Sequence, residues 1–173
     1  MTKMERLLIL LLIISSCNTY DYTSFKFKDD NGRMGSELPT IHEYDMSIYL
    51  SSIIGGGQLY QGFNNELSIK NILKDSIMIN DVTAHYNLPS NEKIPLFAKN
   101  WFNSDSLKMP LRLNSGDNEY FRLEVLEHEL YKFSLNDSMD LKIEIEYKTS
   151  KGTKLIKINT KKYYTRERGI VMP

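Results

Sequence analysis

The chain has 173 residues, of which 22 are basic and 22 acidic, so its formal net charge at neutral pH is zero. This balance argues against a nucleic-acid-binding protein, because phosphate contacts require a basic face. The only cysteine is Cys17, which excludes an intramolecular disulfide and a zinc site built from several thiolates. The length is sufficient for one domain with its own hydrophobic core.

Residues 1–16 have the layout of a secretory signal peptide. Lys3 and Arg6 precede the uninterrupted apolar run Leu7–Ile14, which ends in Ser15 and Ser16. This run is too short for a helix that spans a membrane, which needs ~20 residues. We therefore expect a signal helix that directs export and is then cleaved from the protein.

The residues Ile14-Ser15-Ser16-Cys17 resemble the lipobox of bacterial lipoproteins, in which one aliphatic and two small residues precede a cysteine. The resemblance implies cleavage between Ser16 and Cys17 and a diacylglycerol on Cys17, usually with palmitate or another acyl chain on the new N-terminus. Two or three acyl chains anchor a protein stably, whereas a single chain is marginal. The alternatives are an ordinary signal peptide followed by an incidental cysteine, and a signal anchor that is not cleaved.

The lipobox implies a protein of the bacterial cell envelope that is attached to a membrane through its N-terminal lipid. The residues after Cys17 do not match the acidic surface-export signal that some lipoproteins carry. We therefore expect the outer membrane, with the protein facing the periplasm. Residues 17–38 are predicted to be the anchor and a flexible tether with at most one short strand, because Asp, Asn and Gly are frequent there.

Residues 39–165 are predicted to form one all-β domain, followed by a basic tail at residues 166–173. Apolar residues alternate over Leu141–Tyr147, a turn follows at Thr149–Gly152, and an apolar pattern then returns, which predicts a β-hairpin. Two further alternating sets, Ile77–Ile79 and Val82–Tyr86, are shifted against each other near Asn80 and Asp81, which predicts a β-bulge or a break in the strand.

No stretch of the mature chain sustains a helical apolar period over three turns. About seven to nine short strands separated by turns predict an antiparallel β-sandwich. The segment Asn65–Asn159, with a turn at Asn114–Asp117 and an aromatic-led strand at Glu119–Val125, resembles bacterial Ig-like or fibronectin-III-like domains. A transthyretin-like or other sandwich topology is expected to produce the same pattern.

Trp101 and Phe102 are the candidate ligand or partner contacts. Aromatic side chains on the loops of a sandwich can stack on sugars, and the same pair can anchor a partner protein as a binding hot spot. The alternative is that Trp101 fills the core. The leading prediction is a non-enzymatic protein-binding or scaffolding module with an envelope protein as partner, and the second is a glycan-binding accessory protein.

An enzyme ranks third, because no catalytic or nucleotide-binding motif is present in the sequence. We predict no catalytic residue, no metal and no cofactor. The three histidines have no second His or Cys at ligand spacing. The acidic residues near His128 are expected to form a solvated face. The histidines are His42, His85 and His128, and the acidic residues are Glu124, Glu127 and Glu129.

Overall fold

A computed structural model describes residues 18–29, 31–43, 45–53, 62–102, 105, 107–125 and 133–171. The lipobox, including Ser16 and Cys17, lies outside the described residues. Eleven strands occupy the described part of the chain, more than the seven to nine that the turn spacing predicted. Their bounds are β1 Asn18–Lys28, β2 Met34–Gly35, β3 Ile41–His42, β4 Met46–Ser52, β5 Asn65–Asn71, β6 Ile77–Asn87, β7 Lys93–Asn100, β8 Leu111–Leu113, β9 Asn118–Glu124, β10 Ser138–Thr149 and β11 Gly152–Val171.

The strands pair in the arrangement of an Ig-like sandwich, which confirms the predicted all-β fold. Strands β4, β5, β9 and the second half of β7 form one sheet in that order, and β6, β10 and β11 are neighbours in the other. These positions correspond to strands A-B-E-D and C-F-G of immunoglobulin domains. The described residues contain no helix long and apolar enough to cross a membrane.

Strand β7 belongs to both sheets. Its first half, Lys93–Leu96, pairs with β6, and its second half, Phe97–Asn100, pairs with β9. A strand that changes sheets brings one edge of each sheet together along a single chain segment. The second half therefore lies at the edge of the β9–β5–β4–β3 sheet, and Trp101 follows directly.

The hairpin of β10 and β11 and the bulge in β6 are confirmed. Thr149 pairs with Gly152, so the turn has two central residues. Opposite Glu146 and Tyr147, the partner residues in β6 are Asp81 and Ile79, which leaves Asn80 as the extra residue. The bulge lets apolar residues on both sides of it face the core, and these are Ile77, Ile79, Val82, Ala84 and Tyr86.

The range 17–38 contains more structure than the predicted tether. Strand β1 covers Asn18–Lys28, and β2 pairs with its end. Phe25 and Phe27 are fully buried members of the hydrophobic core. Burial of such a side chain contributes ~1.5–3 kcal/mol, so this segment is part of the domain rather than a flexible connection to it.

The described residues divide into two compact units, one within residues 24–165 and a smaller one that combines residues 18–23 with residues 166–171. The larger unit contains the sandwich. In the smaller unit, the Tyr22 hydroxyl donates a hydrogen bond of 2.8 Å to the Glu167 carboxylate. Because β11 continues to Val171, the predicted tail at 166–173 begins inside a strand.

Candidate functional site

Trp101 lies on the outward side of the β7–β9 pair. Phe121 and Leu123 of β9 are fully buried, so the alternating residues Tyr120, Arg122 and Glu124 point away from the core. In the adjacent strand, Lys99 is directly opposite Arg122, and Phe97 is opposite Glu124. We call this outward set the Trp101 face, and it consists of Phe97, Lys99, Trp101, Tyr120, Arg122 and Glu124.

The Arg122 guanidinium lies over the indole ring of Trp101, with 4.8 Å between its central carbon and the ring centroid. Such a cation–π contact is worth ~0.5–1 kcal/mol at an exposed site. Arg122 also contacts Glu124 at 3.2 Å, and Lys99 reaches the other carboxylate oxygen of Glu124 at 2.8 Å. Trp101 is half-buried against these side chains and is not a member of the hydrophobic core.

Two cations share one carboxylate on this face. Burial raises the pKa of Glu124, but the hydrogen bonds from Lys99 and Arg122 outweigh it and hold the pKa below its usual range. Glu124 therefore stays ionised and fixes both cations beside the indole ring. The Nε atom of Arg122 is buried and has no hydrogen-bond partner among the described residues.

Phe102 extends into solvent beyond the Trp101 face. Its side chain is 83% exposed, and its backbone N–H donates to Asn100 Oδ1 at 2.8 Å. Phe97, on the face itself, is 44% exposed. Because Phe102 directly follows Trp101 in the chain, its exposed ring extends the aromatic surface of the Trp101 face, and this corner is the candidate contact surface.

The Lys162 cluster is a second polar site, buried between the sheets, which the sequence analysis did not single out. Lys162 of β11 has no solvent exposure. Its Nζ donates to Asn65 Oδ1 at 2.7 Å and to the carbonyl oxygen of Gly62, and it lies 4.7 Å from the ring centroid of Phe27. Burial holds the pKa of Lys162 well below its usual range. Among the described residues, no carboxylate forms an ion pair with it.

Tyr86 completes the Lys162 cluster from β6. Its hydroxyl donates to the Phe63 carbonyl at 2.5 Å and accepts from Asn65 Nδ2 at 2.7 Å. Burial raises the pKa of Tyr86, so the hydroxyl stays protonated. Asn65 thus receives a hydrogen bond from Lys162 at its oxygen and donates one to Tyr86 from its nitrogen, which connects three strands across the sandwich.

The alternation of inward and outward side chains along β11 indicates that Lys162 faces the core. On β11, Ile156 and Ile158 are buried, and Lys162 has the same parity. The structure places Ile156 inward and Leu155 outward, 51% exposed. Once that register is known, Lys162 must point inward.

The remaining candidate residues are His42, His85 and the acidic residues near His128, of which the structure describes only some. His42 is exposed, and His85 lies on β6, where burial, followed by the charges of Lys93 and Lys142, lowers its pKa. Glu124 is held by its two cations, whereas His128, Glu127 and Glu129 lie outside the described residues. The described residues contain no group of three metal-ligating side chains.

The chain resembles solved structures only distantly. No family model matches it, and no curated protein matches it. A structure of a DUF4426 family protein from Pseudomonas aeruginosa PAO1 matches at 9% identity, covering 80% of this chain and 96% of that one, with a TM-score of 0.36. A structural genomics target of the Northeast consortium matches at 6% identity, covering 87% and 86%, also with a TM-score of 0.36.

Proposed function

We propose that this protein is a lipid-anchored, non-enzymatic envelope protein that binds a partner protein through Phe102 and the Trp101 face. The observation that carries the proposal is the exposure of Phe102 beside the Trp101–Arg122 stack. Trp, Tyr and Arg are the residue types enriched in binding hot spots, and an exposed ring beside them supplies apolar area that a partner can cover.

The geometry gives this surface the anatomy of a small interface. Phe97 and Phe102 supply apolar area, and the ion-paired Lys99, Arg122 and Glu124 supply a polar border with fixed positions. Side chains already held by neighbours lose less conformational entropy when a partner binds. A partner with an apolar pocket and acidic or amide groups around it fits these features.

The experiment is capture of partners by the full lipidated protein from its own membranes in mild detergent, read by mass spectrometry. We expect one envelope protein in near-equal amount, and we expect Phe102→Ala to reduce its recovery at least tenfold. Leu155→Ala is the matched control, because Leu155 is an exposed apolar residue on β11, outside the Trp101 face. Equal recovery with wild-type protein and Phe102→Ala contradicts the proposal.

The lipid anchor is tested separately. Cys17→Ala removes the sulfur that the lipobox would present for acylation, so we expect incorporation of labelled palmitate to be lost and the leader to remain uncleaved. Lys3→Gln, a change in the leader that leaves the cysteine in place, is the control and should still be labelled. Labelling of Cys17→Ala would refute the anchor without affecting the binding surface.

The second candidate function, glycan binding, is supported by a polar arrangement next to the same aromatic residues. Ser68 donates to Asn118 Oδ1 at 2.7 Å, and Asn118 Nδ2 donates to the Tyr120 hydroxyl at 2.8 Å. Amide and hydroxyl groups beside an aromatic side chain are suited to sugar hydroxyls. Binding of a cell-wall or capsular glycan that is lost in Trp101→Ala would favour this function over the first.

A further inference from the structure

The Lys162 cluster poses an energetic problem that its hydrogen bonds do not remove. A buried ammonium group costs several kcal/mol unless an opposite charge compensates it. The described residues around Lys162 provide amide, carbonyl and hydroxyl oxygens and two aromatic rings. Burial lowers the pKa of Lys162 and so favours the neutral amine, whose lone pair is the nucleophile in such reactions.

The Asn65 carboxamide is the side-chain electrophile that contacts this amine. Nζ lies 2.7 Å from Oδ1. Because a C=O bond is about 1.2 Å long, Nζ is no more than ~3.9 Å from the carboxamide carbon Cγ. Near-attack geometry requires reacting atoms ~3–3.5 Å apart with aligned orbitals, so a rotation that brings Nζ above the plane of the carboxamide must precede the reaction.

We propose that Lys162 and Asn65 become joined by an amide bond after the chain folds. The Nζ–Cγ bond forms, the Cγ–Nδ2 bond breaks, and Nδ2 leaves as ammonia. One proton must move from Nζ to Nδ2. The Tyr86 hydroxyl is 3.5 Å from Nζ and 2.7 Å from Nδ2, so it can accept the first proton while it donates its own to the leaving nitrogen. No oxidant, reductant or other reactant is required.

The bond would connect β5 to β11 and would therefore join the two sheets covalently. It would close a covalent loop from residue 65 to residue 162 and remove the buried amine permanently. Cross-links across long loops restrict the unfolded chain and so favour the folded state. This inference concerns the interior of the sandwich and is independent of the proposed binding surface.

The test is the mass of the purified full mature protein, followed by mapping of its tryptic peptides. We expect the loss of one ammonia, about 17 Da, relative to the mass calculated for the same processed and acylated N-terminus. We also expect a branched peptide in which the fragment Met34–Lys70 is joined to the fragment that begins at Lys162. A folded wild-type protein of unchanged mass overturns the proposal. The same mass loss confined to Met34–Lys70 alone, as a cyclic imide of asparagine would give, also overturns it.

Three variants refine the result. Asn65→Ala and Lys162→Arg remove one reacting group each, so we expect both to keep their full mass, and mass loss in either contradicts the assignment. Tyr86→Phe retains the ring but removes the relaying hydroxyl. We expect its cross-link to accumulate at least tenfold more slowly in a time course after refolding, and an unchanged rate would refute the role of Tyr86.

Discussion

The Trp101 face and the Lys162 cluster both place a cation over an aromatic ring, but their surroundings differ. Arg122 lies over Trp101 at the surface and is neutralised by Glu124. Lys162 lies over Phe27 in the core, and among the described residues its polar partners are uncharged oxygens. Water and a carboxylate surround the first cation, whereas burial favours loss of the proton from the second.

The difference predicts that substitutions in the Lys162 cluster cost much more stability than those on the Trp101 face. A buried polar group that loses its partner retains the full cost of desolvation, whereas an exposed one regains water. The same type of contact therefore supports the fold at one place and leaves side chains available for binding at the other. The effects of substitutions on stability can be compared directly between the Lys162 cluster and the Trp101 face.

Gly62→Ala is expected to have the largest effect. Gly62 has a φ of +74°, and a Cβ there would overlap the carbonyl oxygen of Phe25, while its own carbonyl accepts from Lys162. We expect a loss of more than ~3 kcal/mol of unfolding free energy, or failure to fold, measured by urea denaturation.

Gly116→Ala is the matched control for this prediction. Gly116 has a φ of +81°, but a Cβ there would meet no atom within 4 Å. We expect only the backbone cost of about 1–2 kcal/mol. Equal losses in the two variants would show that the close approach to Phe25 is not the cause.

Tyr86→Phe is expected to have the next largest effect. The substitution leaves the Phe63 carbonyl and the Asn65 amide without the hydroxyl that joins them. We expect a loss of ~1–3 kcal/mol. Tyr120→Phe on the Trp101 face removes a hydroxyl whose donor, Asn118, is exposed to water, and it should change stability by less than ~0.5 kcal/mol. A larger loss in Tyr120→Phe than in Tyr86→Phe would reverse the comparison.

The sequence predicts those parts of the fold where the apolar pattern is periodic. The alternation in Leu141–Tyr147 predicts the hairpin, and the shift near Asn80 predicts the bulge, because a strand must keep its apolar face on the core. The frequent Asp, Asn and Gly residues predict a tether over residues 17–38, although that range includes Phe25 and Phe27. Two inward aromatic residues were sufficient to make that segment part of the core.

The candidate sites are harder to predict because they depend on three-dimensional neighbours. Trp101 and Phe102 follow the last paired residue of β7, so their direction depends on where that strand changes sheets. Lys162 and Asn65 are 97 residues apart, and no local pattern brings them together. The one local indication of the cluster is a lysine at an inward position of a strand. The neighbouring basic residues make that position resemble an exposed basic segment, so the sequence does not reveal it.

Glu124→Gln should have the smallest effect and a defined dependence on pH. The pKa of Glu124 is lowered in the folded protein, so its contribution to stability is present above the ordinary carboxylate range and is lost as pH falls through the folded pKa. The Glu124 side chain is 17% exposed, and a pair of this kind is worth about 1 kcal/mol or less.

The free energy of unfolding of Glu124→Gln is therefore expected to lie below the wild-type value at pH 7 and to converge with it in acid, measured by urea denaturation across the pH series. Asp140→Asn is the control, because the Asp140–Lys161 pair is 3.5 Å apart with both side chains about half exposed. Since water screens that pair, we expect a change of less than ~0.5 kcal/mol at any pH. If Glu124→Gln changes the free energy of unfolding as little as Asp140→Asn does, the carboxylate does not hold Lys99 and Arg122 in place. The Trp101 face would then have no fixed polar border.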